Sequence, residues 1–193
     1  MKGRDLFRQL RQFGDLDVQE STVLGWIDMC QKKSSLDLPV VQTVTALNVV
    51  DGTVVPTPNG VFRVLSASDG YPLSAIEVGA NSLILHQPAA FVTIKYSSIA
   101  PDYTNMDDEL TIHPSLHAPM IYFLVSMYYD MEGEGDAEES DLAERFYQRW
   151  VYYRNMAIAA LTGTDNDLPN REPVETKDVL PRTRHIRRDS YFE

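Results

Sequence analysis

Between residues 4 and 36 the apolar positions recur every three or four residues. In "RDLFRQLRQF" Leu6, Leu10 and Phe13 fall at helical spacing, with Asp5 placed to cap the first turn. "GDLDVQE" breaks that pattern, and Asp17-x-x-Glu20 then has the form of a capping box that opens a second helix. On this helix Val23, Trp26, Ile27 and Cys30 share one stripe, and Lys32 and Lys33 suit the negative end of its dipole. Gly25 in its middle costs roughly 1 kcal/mol against alanine, which points to a neighbour that packs closely there.

At residue 39 the period changes from helical to alternating. "VTALNVVDGTVV" sets Asp51-Gly52 between two β-branched runs, the form of a tight hairpin. "TPNG" and "SDG" mark further turns, and "VFRVLS", "LSAIEV", "SLILH" and "FVTIKYSS" read as short strands. Pro56 and Pro58 push their surroundings to a sheet edge. The expectation is one antiparallel sheet of about five or six strands.

The helical period returns at 113. Pro114 suits a first turn, and Leu116, Met120, Phe123, Leu124, Met127 and Met131 form one stripe. An acidic connection, "EGEGDAEESD", leads to a second stripe of Leu142, Phe146, Trp150, Tyr153, Ala157 and Leu161. So short a connection predicts an antiparallel helix pair. From Thr162 the periodicity stops. The segment 162–193 holds prolines 169, 173 and 181 and little aliphatic content, so alone it reads as extended. Its end is different in kind. Arg182, Arg184, Arg187 and Arg188 surround Ile186 and precede Tyr191 and Phe192, a composition suited to docking on a partner.

The predicted fold is therefore α+β. A bundle of about four helices, from residues 1–38 and 113–161, is interrupted by a β-rich insertion over 39–112. An extended C-terminal tail follows over 162–193.

Composition narrows the function classes. At 193 residues, 44% hydrophobic and 23% charged, the chain has the make-up of one globular domain. A net charge of -11 opposes general affinity for nucleic acid, which needs a basic surface. Cys30 is the only cysteine, so no intramolecular disulfide forms, which fits assembly in a cytosol. "MKGRDLFRQLRQFGD" has charges where an export signal needs apolar residues. The run Met120–Met131 is too short and too rich in tyrosine to cross a bilayer, which takes roughly 20 apolar residues.

Candidate chemistry is sparse. P-loop, dinucleotide, nucleophile-elbow, zincin and EF-hand patterns are absent. His113-x-x-x-His117 can place two imidazoles on one helical face, with Asp107, Asp108 or Glu109 as a third ligand. Pro114 intervenes, however, and a solvated or interface role is the simpler reading. The acidic run from Asp130 to Glu144 lacks calcium-loop spacing and reads as a solvated connection, or as a surface for a basic partner. Cys30 on its apolar stripe reads as an inert core thiol. Tyr122, Tyr128, Tyr129, Tyr147, Tyr152 and Tyr153 exceed what one helix pair needs for packing, and half-buried aromatics favour subunit contacts.

The order of these parts carries a resemblance. "VTIKYSSIAPDYTNMDDELTIHPSLHAPMIYFLVSMYY", an acidic break and "DLAERFYQRWVYYRNMAIAAL" resemble the head-to-tail adaptor (connector, or head-completion) proteins of tailed bacteriophages. The positions that carry it are Tyr96 to Pro101, Asp107 to Leu110, the Met120–Tyr129 face, and Phe146, Tyr147 and Trp150. With the N-terminal helix pair and the β insertion it spans about residues 4–161. The resemblance implies a structural virion protein rather than an enzyme, with no cofactor and no metal. It implies a ring of about twelve copies beneath the portal, assembled in the host cytoplasm and resident in the virion neck. The ring would join the DNA-filled capsid to the tail or nozzle proteins and form part of the conduit through which DNA passes without sequence-specific binding. Tyr122, Tyr129, Tyr147 and Tyr152 would make the ring interface. Arg182, Arg184, Ile186, Arg187, Arg188, Tyr191 and Phe192 would dock on the portal. The competing reading is a small ligand- or glycan-binding module, or a hydrolase, that uses the β insertion with His113 and His117.

Overall fold

The computed structural model describes residues 1–13, 17–57, 60–68, 70–133 and 137–162. Among the described residues four α-helices flank six strands in chain order: α1 (Gly3–Gln12), α2 (Glu20–Asp37), α3 (His117–Glu132) and α4 (Ala137–Thr162). The strands are β1 (Val40–Val49), β2 (Thr53–Pro56), β3 (Val61–Ala67), β4 (Ile76–Val78), β5 (Ser82–Leu85) and β6 (Ala89–Ser98). This is the α+β architecture that the change of period predicts, a helical bundle interrupted by antiparallel strands.

The helices form where the apolar stripes lie. Leu6 and Leu10 of α1, and Val23, Trp26, Ile27 and Cys30 of α2, are all buried. The Asp5 carboxylate accepts the Lys2 N–H at 3.1 Å and so closes the first turn of α1. The predicted capping box at Asp17 does not form. Helix α2 starts at Glu20 with Gln19 as its N-cap, and no side chain bonds across the turn. Gly25 also departs from expectation. It faces solvent, and a Cβ built there meets nothing within 4 Å.

Helix α3 is the centre of the bundle, which explains why it is so apolar. His117, Pro119 to Ile121 and Phe123 to Ser126 are buried on nearly every side, the mark of an element enclosed by others. Helix α4 lies against it as the predicted antiparallel partner, yet only Ala143 and Trp150 are fully buried there. Its 26 residues outrun the 16 of α3, or about 39 Å against about 24 Å. Leu161, at the far end of α4, is exposed rather than on the buried stripe, and so are Tyr153 at the edge of the helix pair and Met131 at the end of α3. Helix α4 also begins earlier than expected. The "AEESD" segment belongs to it, with Glu138 and Glu139 at the positive end of the dipole.

The expected single sheet is two. Strands run in the order β1-β6-β3 in one sheet and β2-β5-β4 in the other, all antiparallel. The Asp51-Gly52 turn does form. The Val50 carbonyl accepts the Thr53 N–H at 3.0 Å, and Gly52 takes a φ of +80°. It does not make a hairpin, however, because β1 pairs with β6 and β2 with β5, and the turn carries the chain from one sheet to the other. Pro56 ends the edge strand β2, where its missing N–H costs no ladder bond. The inner faces, Ala46, Val92, Ile94 and Tyr96 against Val55, Ile76, Leu83 and Leu85, bury one core of their own.

A second core joins α1–α4 with Ala100, Tyr103, Met106, Leu110 and Ile112. The segment 100–112 therefore packs with the helices, and the β lobe ends at Ser98 rather than at 112. A polar stripe on α2 holds this segment down. Asp28, Gln31, Lys32 and Ser35 recur at helical spacing. The Asp28 carboxylate accepts the Tyr103 N–H at 2.9 Å, and the buried Gln31 carbonyl accepts both the N–H (2.8 Å) and the hydroxyl (2.9 Å) of Thr111. Lys32 bridges Asp28 and Asp102 at 2.8 and 2.6 Å, and Ser35 accepts the Ala100 N–H at 2.9 Å. From the other side the N-terminus straps the same segment. Arg4 forks onto Asp107 at 2.7 and 3.1 Å, and the Gly3 N–H reaches the Tyr103 hydroxyl at 2.8 Å.

Candidate functional site

The densest cluster of chemically distinctive side chains is aromatic, on the flank where α3, α4 and the end of α1 meet. Positions 122 and 129 of α3 are two turns apart, as are 146 and 153 of α4, so antiparallel packing brings them into register. Tyr122 stacks on Tyr153 with centroids 5.4 Å apart and planes at 18°, and Tyr129 stacks on Phe146 at 5.8 Å and 8°. Phe13 inserts between the two stacks, edge-on to Tyr122 at 6.4 Å and to Phe146 at 6.1 Å. Stacked and edge-on pairs are the two favourable ring arrangements. Exposed edges of Phe13 and Tyr153 leave the cluster half open to solvent.

The four tyrosines expected at a ring interface do not share one face. Tyr122 and Tyr129 belong to the stacks just described. Tyr147 is on the opposite flank, tilted onto Trp150 at 5.2 Å, with the Lys33 ammonium over its ring at 5.5 Å and over Phe123 at 5.3 Å. Tyr152 meets the edge of Tyr153 at 5.3 Å. All four are half-buried. Much of the aromatic surplus is thus engaged within the chain, and what remains is divided between two sides of the helix pair. Arg182, Arg184, Ile186, Arg187, Arg188, Tyr191 and Phe192 lie outside the described residues.

Beside Trp150 the helices half-bury a charged group. Arg154 of α4 lies across Trp150 with its guanidinium 5.0 Å from the ring and pairs with Asp37 at the end of α2. Burial lowers its pKa from the ordinary arginine value. Cys30 sits close by, wholly buried, and desolvation pushes its thiol up to about 12. A thiol so held supplies no thiolate near neutral pH, which fits the inert core role.

The two histidines serve the start of α3. The His113 ring nitrogen accepts the Ser115 N–H at 3.3 Å and caps the Pro114–Leu116 turn. His117 is buried and bonds through Nε2 to the Ile112 carbonyl at 3.0 Å, with its pKa lowered by desolvation. Because a carbonyl only accepts, Nε2 carries the proton. Asp107, a candidate third ligand, is committed to Arg4, which holds its carboxyl below the usual range. Among the described residues no group of three or more His, Cys, Asp or Glu is arranged to hold a metal ion. No described helix is long and apolar enough to cross a membrane.

The described residues place half-exposed rings on two flanks of one helix pair, with acidic side chains where α3 ends and α4 begins. Comparison with protein-family models and with curated proteins returns no match for the chain.

Proposed function

We propose that this chain is a head-to-tail adaptor of a tailed bacteriophage: a structural virion protein that forms a ring of about twelve copies beneath the portal. In this reading it has no catalytic activity, joins the DNA-filled capsid to the tail proteins, and forms part of the DNA conduit in the virion neck. The observation that carries the proposal is the order of parts. A helical bundle is split between α2 and α3 by a β lobe, and α4 is followed by a segment that ends in alternating arginines and two aromatics. A closed ring needs two different lateral surfaces on each copy, and the aromatic side chains on opposite flanks of the helix pair supply candidates for both. A net charge of -11 suits a conduit wall that DNA passes without being held.

The test is reconstitution. Full-length protein is mixed with DNA-filled, portal-bearing heads that lack tails, and the neck is imaged by cryo-electron microscopy. A ring of this protein seated on the portal is the expected result, and it disappears when residues 180–193 are deleted. Heads that recruit none of the full-length chain overturn the proposal, and specific retention on a glycan array would then favour the binding-module reading.

A further inference from the structure

The first sheet has two edges, and only one of them is protected. Edge strand β3 is bulged twice, with Phe62 and Leu65 as extra residues between its pairing positions, and it carries Arg63. Bulges and charges are what blunt an edge against pairing with another chain. Strand β1 has neither. Its ten residues, "VVQTVTALNV", carry no charge and no proline, and they pair with β6 without interruption from Val40 to Leu47. The other edge of β1 ends the sheet, and no backbone bond from another described element reaches it. From Val40 to Leu47 the edge is long, uncharged and regular, Asn48 with its φ of +52° interrupting it only near the end, and such an edge is a template for a further strand.

The outward side chains say which strand fits. On its solvent face β1 presents Val41, Thr43, Thr45 and Leu47, with Val41 60% and Leu47 71% exposed. Turned antiparallel about Val44, this face complements itself. Val41 meets the partner's Leu47 and Thr43 meets the partner's Thr45, apolar against apolar and hydroxyl against hydroxyl. Shifting the register by one pair either way sets Leu47 beyond the strand or against a threonine. The absence of charge matters as well, since two copies of a chain of net charge -11 repel one another except through an uncharged surface.

We propose that two copies of the chain associate edge to edge through β1, antiparallel about a two-fold axis at Val44, and merge their three-stranded sheets into one of six strands. The contact is isologous, distinct from the head-to-tail contacts that close a ring, and it does not rest on the adaptor reading. A single strand edge buries less surface than a standard interface, so the dimer is weak and depends on concentration.

Sedimentation equilibrium on the full-length chain tests this with two paired substitutions at exposed positions. Wild type is expected to show a reversible monomer–dimer equilibrium in the micromolar range. Val41→Lys with Leu47→Lys puts like charges opposite each other twice across the axis and should raise the dissociation constant by about tenfold or more. Val41→Lys with Leu47→Glu sets opposite charges at the same two places and should restore association. Circular dichroism confirms that each variant folds. A wild type that stays monomeric, a Lys/Lys chain that dimerises as well as wild type, or a Lys/Glu chain that fails to recover each overturns the proposal. Binding to portal-bearing heads is read separately and bears only on the adaptor function.

Discussion

The helical half and the β lobe bury the same kinds of side chain but are closed by different means. The β lobe is contiguous, from Val40 to Ser98, and its core is sealed by ladders between its own strands. The helical half is assembled from two stretches separated by that lobe, and its core includes the irregular segment 100–112. Irregular backbone inside a core needs partners for every N–H and C=O, and here the polar stripe of α2 and the N-terminal strap provide many of them. The difference teaches that one half is organised by its pattern of apolar residues, while the other depends in addition on a few placed polar groups.

The largest effect that bears on this contrast comes from core truncation. Phe123 is fully buried and meets Trp150 at a centroid distance of 5.0 Å. Phe123→Ala should cost about 3–5 kcal/mol in denaturant unfolding, with amide protection lost in α1–α4 and retained around Val92–Tyr96. Leu85→Ala, in the β core, should cost about 2–5 kcal/mol and lose protection in the opposite half. If either variant weakens exchange protection equally throughout, the two halves unfold as one unit and the contrast is wrong.

A smaller loss should follow from the clamp. Gln31→Ala removes the acceptor of two bonds from Thr111 at a buried position, for an expected cost of about 1–3 kcal/mol. The early signature is faster exchange of the Thr111 and Tyr103 amides, with the β lobe unchanged. An exchange rate at Thr111 equal to that of wild type would show that the clamp does not hold the segment.

That clamp also marks where the sequence stopped being legible. Apolar stripes on α1, α2 and α3 were readable because a 3.6-residue period is itself what turns one side of a helix inward. Alternation over β1 and β6 was readable for the same reason at a period of two. Partners were not. Asp51-Gly52 specifies a turn, but nothing local says which strand lies beside β1, so a switch between sheets read as a hairpin. Asp28, Gln31, Lys32 and Ser35 look like any solvated helix face until the segment 100–111 lies on them. Of the candidate interface residues, Tyr122 and Tyr129 were legible as aromatic. Their stacking on Tyr153 and Phe146 depends on the α3–α4 register, which no single helix encodes. Arg154 gives no signal in the sequence because a charged residue on a helix ordinarily faces water, whereas Trp150 and Asp37 draw this one in.

Gly25 offers a sharper test of the same lesson, with an effect of the opposite sign. The sequence suggested a close neighbour, yet a Cβ there meets nothing within 4 Å. Gly25→Ala should therefore stabilise α2 by up to about 1 kcal/mol, since alanine loses less backbone entropy on entering a helix. Thermal unfolding of the isolated chain measures it, and a lower midpoint would restore the close-contact reading.

The smallest expected effect separates the halves by pH. In the β lobe His86 lies between Asp51, with Nδ1 3.1 Å from a carboxylate oxygen, and Glu77, with Nε2 at 3.0 Å. Hydrogen bonds to Glu77 first and Asp51 second raise its pKa above the ordinary histidine value of about 6.5. Below that value the imidazole is protonated in both folded and unfolded chains, and its attraction to the two carboxylates is fully present. As pH rises through the elevated folded-state value the proton is lost and the contribution vanishes. The advantage of wild type over His86→Gln should therefore be largest near pH 6 and fade toward pH 9. All three side chains are exposed, so added salt should shrink it further. Exchange in the β lobe should register the change while the helical half, where His117 is buried with a lowered pKa, should not follow the same curve. A His86→Gln chain whose stability parallels that of wild type across this range would show that the bridge between the Asp51 turn and β4 contributes nothing to holding the lobe.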